Sequence, residues 1–334
     1  MKRMALALGT AWVLVAALAP WVAPYDASVQ HPRRAYAPPT RLRFVTREGH
    51  VARPHFHPVR LVSALERHFE EDPSRRVEIH WLGEGRLFRS SDPAQPVLLL
   101  GADSMGRDVF SRLAAGARTS LALALIAAAL ATGIGVTVGL VAGATGGVLD
   151  AALTRVSEFV LVLPALYVVV ALRALLPLVL SFTTVFILLT AIFALVAWPV
   201  AARGVRAIVR TERLLGYVEA ARAAGARRRR LLLRHLLPAA SGHAWTQFAL
   251  LVPSCLLFEG ALSFAGLGFP PDAASWGTML REAANIGALS SAPWLLAPAI
   301  AIVTVVFTVN LLVETLNIDD RPPSAFRGSQ PVVR

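Results

Sequence analysis

Residues 120–143 read SLALALIAAALATGIGVTVGLVAG, without one charged side chain. A helix rises about 1.5 Å per residue, so about 20 apolar residues cross a hydrocarbon core of about 30 Å. The stretch is therefore long enough to span a bilayer and predicts a transmembrane helix. Gly135, Gly139 and Gly143 recur in it at four-residue spacing. That spacing lays three bare patches on one helix face, where a neighbouring backbone can approach closely. Helix packing is the reading they support.

Outward from this segment the same test finds five more. Residues 1–23 open with a short basic start and then an apolar run. Ala17-Leu18-Ala19 resembles a signal-peptide cleavage motif, but the run is long enough to span and Pro20 would sit just after the cut. A retained anchor is expected. Residues 157–176 and 179–202 adjoin across Pro177 and predict a tight hairpin; residues 242–264 and 293–316 complete the set. The predicted fold is an all-α polytopic membrane protein of six transmembrane helices with both termini on one side. Composition agrees: of 334 residues, 55% are hydrophobic and 16% charged, and the mean hydropathy is +0.57. Those values fit a membrane protein better than a soluble enzyme. Pro164, Pro199, Pro253 and Pro298 fall within spans and suggest bent helices around a cavity. The single cysteine, Cys255, excludes an intrachain disulfide and argues against a cysteine-based metal site.

Arginine placement sets the orientation. The loop over residues 203–238 carries ten arginines against Glu212 and Glu219. Short loops rich in Lys and Arg stay cytoplasmic, so this loop, Lys2, Arg3 and the tail over 318–334 are expected inside. The first loop, residues 24–117, is too long for that rule and is placed outside as a mixed subdomain. Residues 61–72, LVSALERHFEED, predict a short amphipathic helix; VEIHWL at 77–82 and PVLLL at 96–100 predict strands. His55 and His57 form a His-x-His pair in a Pro-rich stretch and are expected to be exposed, with no metal site. Charge inside the spans is scarce, and Arg173 and Glu259 stand out. Three readings stay open for them: snorkelling to the interface, pairing with each other, or lining a substrate path. No chain of buried Asp, Glu or Lys crosses the membrane, which counts against a proton- or sodium-coupled carrier.

The most basic stretch is residues 219–238, EAARAAGARRRRLLLRHLLP. It contains no Phe, Tyr or Trp, so it lacks the stacking aromatics of a nucleic-acid binder. Glu219-Ala220-Ala221 begins a helix-forming run, and Gly225 breaks it as a glycine can where the backbone turns. A second run follows, and Pro238 stops it just before the fifth span. The pattern predicts helix, turn, helix along the cytoplasmic face. Its alanines let another protein approach closely, while Glu219 and the arginines offer directional contacts.

Here the chain resembles a known family. Glu219-Ala220-Ala221, Gly225 and Leu237-Pro238 match the EAA signature of permeases of binding-protein-dependent ABC importers, and Arg234-His235-Leu236-Leu237-Pro238 is similar to its peptide and nickel branch. A box at residues 101–112, GADSMGRDVFSR, and the runs ALSFAGLG at 261–268 and ASWGTML at 274–280 also resemble that branch. The resemblance covers the anchor and residues 97–318. It departs from the pattern at Ala102 in place of Thr, at Ala274 in place of Pro, and in a longer external loop.

The resemblance implies a type I ABC importer transmembrane domain over residues 118–317, with coupling helices at 219–238. It implies two ATP-binding cassette subunits beneath, a second permease subunit beside, and an extracytoplasmic solute-binding protein. ATP and Mg would be bound by the partners, since this chain lacks a G-x-x-x-x-G-K-[ST] phosphate loop. No cofactor and no catalytic residue is expected in this chain. The implied ATPase-coupling residues are Glu219, Ala220, Ala221, Gly225, Arg230, Arg234, Leu237 and Pro238. Arg107 and Asp108 are expected to cap the second span or to meet the binding protein. The alternative is a stand-alone channel or secondary transporter whose arginine loop only sets orientation.

Overall fold

The computed structural model describes the whole chain except residues 1, 46–50, 64–66, 84, 176, 178–179 and 320–334. Helix α1, Lys2–Val22, precedes a subdomain of six short strands. These are β1 Arg43–Val45, β2 Val51–Phe56, β3 Val59–Ser63, β4 His68–Glu71, β5 Val77–Trp81 and β6 Phe88–Ser90. The bundle follows, with α2 Val109–Thr145, α3 Gly147–Val162, α4 Ala165–Ala174 and α5 Phe182–Glu212. Two short helices, α6 Gly216–Ala223 and α7 Arg228–Leu231, lead through a widened turn at Leu232–Leu236 into α8 Leu237–Phe264. Last come α9 Trp276–Ala283, α10 Ile286–Ser291 and α11 Ala297–Asp319.

Among the described residues four helical stretches are long and apolar enough to cross a membrane: Val109–Thr145, Phe182–Glu212, Arg228–Phe264 and Pro293–Thr315. The α3–α4 pair supplies a fifth if it is one span, and α1 adds a shorter apolar helix at Leu6–Val22. The positions agree with the six expected segments, but the ends do not. α2 starts well before residue 120, and α5 runs well past residue 202, because hydropathy marks only the apolar part of a helix that continues into water. The third and fourth segments are separated around Pro177 as expected, since α4 ends at Ala174 and α5 starts at Phe182; a further break divides the third. The chain bends by 83° between α3 and α4, where Pro164 lacks the N–H that would continue the ladder. Pro199 and Pro253 stay within continuous helices.

The bundle is organised around the α2–α5 contact, and the three glycines explain it. A Cβ at Gly135 would lie 2.6 Å from the Trp198 carbonyl oxygen, and one at Gly139 would lie 2.6 Å from that of Ala202. At Gly143 it would meet Val209 Cβ at 2.8 Å. Only a hydrogen fits there, so the two backbones touch along about two turns. The packing reading of this stripe holds. Around it lies one core that includes Leu123, Ala124, Ala127, Leu189, Phe193 and Leu256.

The subdomain was expected to be mixed, but its described residues hold six strands and one short 3-10 turn at Pro32–Arg34, with no α-helix before α2. Strands order β1-β2-β5-β6, all antiparallel, with β3 and β4 as a separate hairpin. The predicted helix over 61–72 is therefore wrong: its described residues pair Leu61 with Phe69 across the hairpin. Alternation decides it, since Val59 and Leu61 are half-buried while Arg60 and Val62 are exposed. VEIHWL is a strand, with Val77 and Ile79 buried beside Phe56 and Phe88. PVLLL is not. Its amides at Val97 and Leu98 are taken by the Tyr25 hydroxyl and the Thr40 hydroxyl, each at 2.8 Å, so no ladder is needed. His55 is buried rather than exposed. Its Nδ1 lies 3.0 Å from the Arg53 carbonyl, and that of His57 lies 2.7 Å from the carbonyl of Arg75. No group of three metal-binding side chains occurs among the described residues.

Candidate functional site

The basic segment folds as helix, turn, helix at the end of the bundle where α2 stops and α5 stops. Val218 of α6 is its anchor. It is buried against Leu140 of α2, Val205 and Val209 of α5, and Leu231, Leu236 and Ala240 beyond the turn. Glu219 and Ala220 point the other way and are exposed; Ala221 is half-buried. The helix ends in a left-handed glycine, Gly225, with φ +81°. There the Ala226 amide donates to the Ala221 carbonyl at 3.0 Å, and the Gly225 amide to that of Arg222 at 3.0 Å. These two bonds use carbonyls that the helix end would otherwise leave bare. Glycine is suited to the position because it adopts positive φ without a Cβ penalty.

Past the turn the ladder widens. The amide of Leu237 reaches back five residues to the Leu232 carbonyl. Pro238 has no N–H to offer its own turn, which favours such a bulge. The extra residue per turn brings Leu231 and Leu236, five apart, onto one buried face. The outward face then carries Arg227, Arg228, Arg229, Arg230 and Arg234, all exposed. Among the described residues none of these guanidinium groups, nor the Glu219 carboxylate, makes a hydrogen bond or ion pair. The segment has an anchored underside and an open, charged upper side.

The same end of the bundle is pinned by contacts that the sequence reading did not foresee. Asp150 of α3 accepts a forked pair of bonds from Arg206 of α5, at 2.5 and 3.0 Å. Arg213 donates to the Ala144 carbonyl at 3.4 Å, at the C-terminus of α2. The signal for the first was a lone Asp just ahead of an apolar run, with arginines on the next helix. Tyr217 donates to Glu212 at 2.6 Å, which raises the phenol above its usual range.

At the opposite end the box at 101–112 is a buried ionic cluster. Asp103 accepts from Arg107 Nε at 2.6 Å and faces Arg112 Nε at 3.5 Å; Arg107 also reaches Glu282 at 3.0 Å. Asp108 is the N-cap of α2, accepting from the Ser111 amide at 2.9 Å. The capping reading therefore holds for Asp108, while Arg107 joins this end to α9. Burial raises the Asp108 carboxyl to about 6, against the lowering effect of the Ser111 bonds.

Glu259 and Arg173 are not paired. Glu259 is fully buried, at 0% exposure, so it does not snorkel. Its carboxylate accepts from the Ser120 hydroxyl at 2.9 Å and from the Ser263 hydroxyl at 2.8 Å. Ser120 in turn accepts from the Trp276 amide at 3.1 Å. Gly277 closes the cluster, since a Cβ there would lie 2.6 Å from that of Ser263. The runs at 261–268 and 274–280 are thus the walls around Glu259. Arg173 is also buried and donates to the Pro177 carbonyl at 3.1 Å.

The described residues form an apolar bundle of many helices with a basic helix-turn-helix at one end. Residues 135–317 match the family model described as the binding-protein-dependent transport system inner membrane component. The chain belongs to that family. It is 35% identical to the oligopeptide transport system permease protein OppC of Bacillus subtilis, over 69% of this chain and 73% of that protein. It is 32% identical to the di/tripeptide transport system permease protein DppC of Pseudomonas aeruginosa, over 91% and 82% respectively. Among solved structures it overlays a chain of the inward-facing MetNI methionine ABC transporter at 17% identity, TM-score 0.44, over 61% and 96%.

Proposed function

We propose that this chain is one half of the membrane pore of an ABC importer that carries peptides or related small solutes, nickel complexes included. Two ATP-binding cassette subunits lie beneath the pore, one of them docked on α6 and the arginine face of this chain; a related permease completes the pore, and an external binding protein delivers cargo. ATP and Mg reside in the ATPase subunits, and hydrolysis happens there. The termini and the lever lie on the cytoplasmic side of the inner membrane, as the arginine balance of the loops favours. The names of the relatives support the peptide assignment.

One observation carries the reading. The helix-turn-helix over 219–238 is tied beneath to three spans yet bare above. Val218 rests on α2 and α5, and the widened turn runs straight into α8. A push on the exposed side of α6 therefore reaches three spans at once. That is what an element driven between two states by a partner requires. Glu219, Ala220, Ala221 and Gly225 form the approach surface; Arg230 and Arg234 supply charge; Leu237 and Pro238 shape the junction with α8. Glu259 and Arg173 are the charges within spans that we assign to a substrate path; Ser263, which holds Glu259, borders a cleft of about 420 Å³ that Arg107, Arg281 and Glu282 also line.

The test is site-specific crosslinking from position 220 in membranes that also contain the neighbouring ATPase. The expected product is a one-to-one adduct that changes yield when nucleotide is added. A chain that transports with no such adduct, and without any ATPase, would be the stand-alone carrier instead.

A further inference from the structure

We propose that the groove beside the lever binds the phosphate headgroup of an anionic phospholipid of the cytoplasmic leaflet. The orientation in this statement rests on the topology given above. The groove has a volume of about 610 Å³ and lies between the C-terminal ends of α2 and α5 and the helix-turn-helix. Concave ligand sites commonly hold about 300–1,000 Å³.

Its lining is divided by chemistry. Val218, Leu231, Leu232 and Leu236 form an apolar floor. Arg213, Arg222 and Arg228 stand around it, and no carboxylate lines the groove. Arg222 and Arg228 are exposed and have no partner among the described residues. Arg213 spends Nη1 on the Ala144 carbonyl, yet its Nε is buried and unpartnered. A buried donor without an acceptor is costly, and a phosphate oxygen supplies one. Guanidinium forks match phosphate geometry in pairs.

Position selects a lipid over a soluble phosphate. The groove lies at the C-terminal ends of α2 and α5, below their apolar stretches, and Leu214 on its rim is 68% exposed. An exposed leucine beside an arginine trio suits an acyl chain below a charged headgroup. Basic pockets between spans on the cytoplasmic side are known to take anionic headgroups. Arg213 and Arg222 line the groove and are not on the arginine face, Arg228 stands at the edge between the two, and Arg229, Arg230 and Arg234 belong to the face alone.

The experiment uses the full-length chain, purified with its partner permease and without ATPase subunits. Native mass spectrometry counts lipid retained after exchange into vesicles of phosphatidylglycerol in phosphatidylcholine, or of phosphatidylcholine alone. Phosphatidylglycerol should be retained selectively, and Arg222→Gln with Arg228→Gln should cut its retention roughly tenfold or more. Adding Arg213→Gln should abolish it. Arg229→Gln with Arg230→Gln removes equal charge from the other side and should leave retention unchanged. Excess inorganic phosphate should not displace the lipid. Equal retention of both lipids, insensitivity to the groove substitutions, or displacement by inorganic phosphate would each overturn the proposal. So would loss of ATPase co-purification by the groove variants with lipid retention intact, since an acidic side chain of that partner would then be the occupant. Lipid is counted here without ATPase present, so a failed lever and a failed lipid site give different results.

Discussion

Gly225 is the position at which backbone conformation and partner docking are most easily confused, and a substitution series separates them. Its φ is +81°, and no atom outside its immediate neighbours lies within 4 Å of where a Cβ would stand. A side chain there meets no wall in this chain, so the cost is conformational alone. An L-residue in the left-handed region costs about 1–2 kcal/mol, and a β-branched one more. About 2 kcal/mol shifts the balance between closed and opened turn roughly 30-fold. Opening releases the Ala226–Ala221 and Gly225–Arg222 bonds, and with them the relative angle of α6 and α7. Gly225→Val should therefore insert normally but hydrolyse ATP without proportionate uptake. Gly225→Asn, which tolerates positive φ, should keep most of the coupling. The assay is the ratio of uptake to hydrolysis in proteoliposomes holding the permease pair, ATPases and binding protein. If Val couples as well as Gly, the turn is not part of force transfer. If Asn fails as badly as Val, close approach of the ATPase, and not φ, explains the glycine.

The other expectations concern the bundle. Gly139→Ala should destabilise the chain by about 1–3 kcal/mol in thermal unfolding in detergent, because its Cβ would lie 2.6 Å from the Ala202 carbonyl oxygen. Gly133→Ala, with nothing within 4 Å, should be neutral or stabilising by comparison. Glu259→Ala should cost about 1–3 kcal/mol by stranding the Ser120 and Ser263 hydroxyls, whereas Glu259→Gln, still an acceptor, should cost less; equal melting of both would deny the serine cage its role. Asp108, raised from 3.8 to about 6, binds its proton more tightly in the folded state. Its contribution to stability is therefore full below about 4 and lost as pH rises through about 6, a swing of about 3 kcal/mol. Asp108→Asn keeps a capping oxygen and should flatten that part of the stability–pH curve; an unchanged curve would place the titration elsewhere.

What could be read from the sequence and what could not divides by the range of the interaction. The turn at Gly225 was legible because its demand is local: a left-handed residue between two helical runs needs no knowledge of the rest of the chain. The glycine stripe of α2 was legible for the same reason, although its partner on α5 was not. The spans were found by apolar length, but their ends were misplaced because the ladder of a helix does not stop where hydrocarbon does. Residues 61–72 were misread because Leu, Ala and Glu favour a helix in isolation; pairing of Leu61 with Phe69 overrode that propensity. Glu259 shows the limit most clearly. Its charge in an apolar run raised three readings, and its actual partner, Ser120, lies 139 residues away on another helix. Pairing with Arg173 looked reasonable only because both were charges near one membrane face. A carboxylate can be held by hydroxyls alone when the chain brings them in from two helices and an amide fixes their direction. That arrangement ties α2, α8 and α9 at one end of the bundle, while Val218 ties α2, α5 and the start of α8 at the other. α2 and α8 are thus gripped at both ends, so a displacement of the lever must either be transmitted along them or bend them.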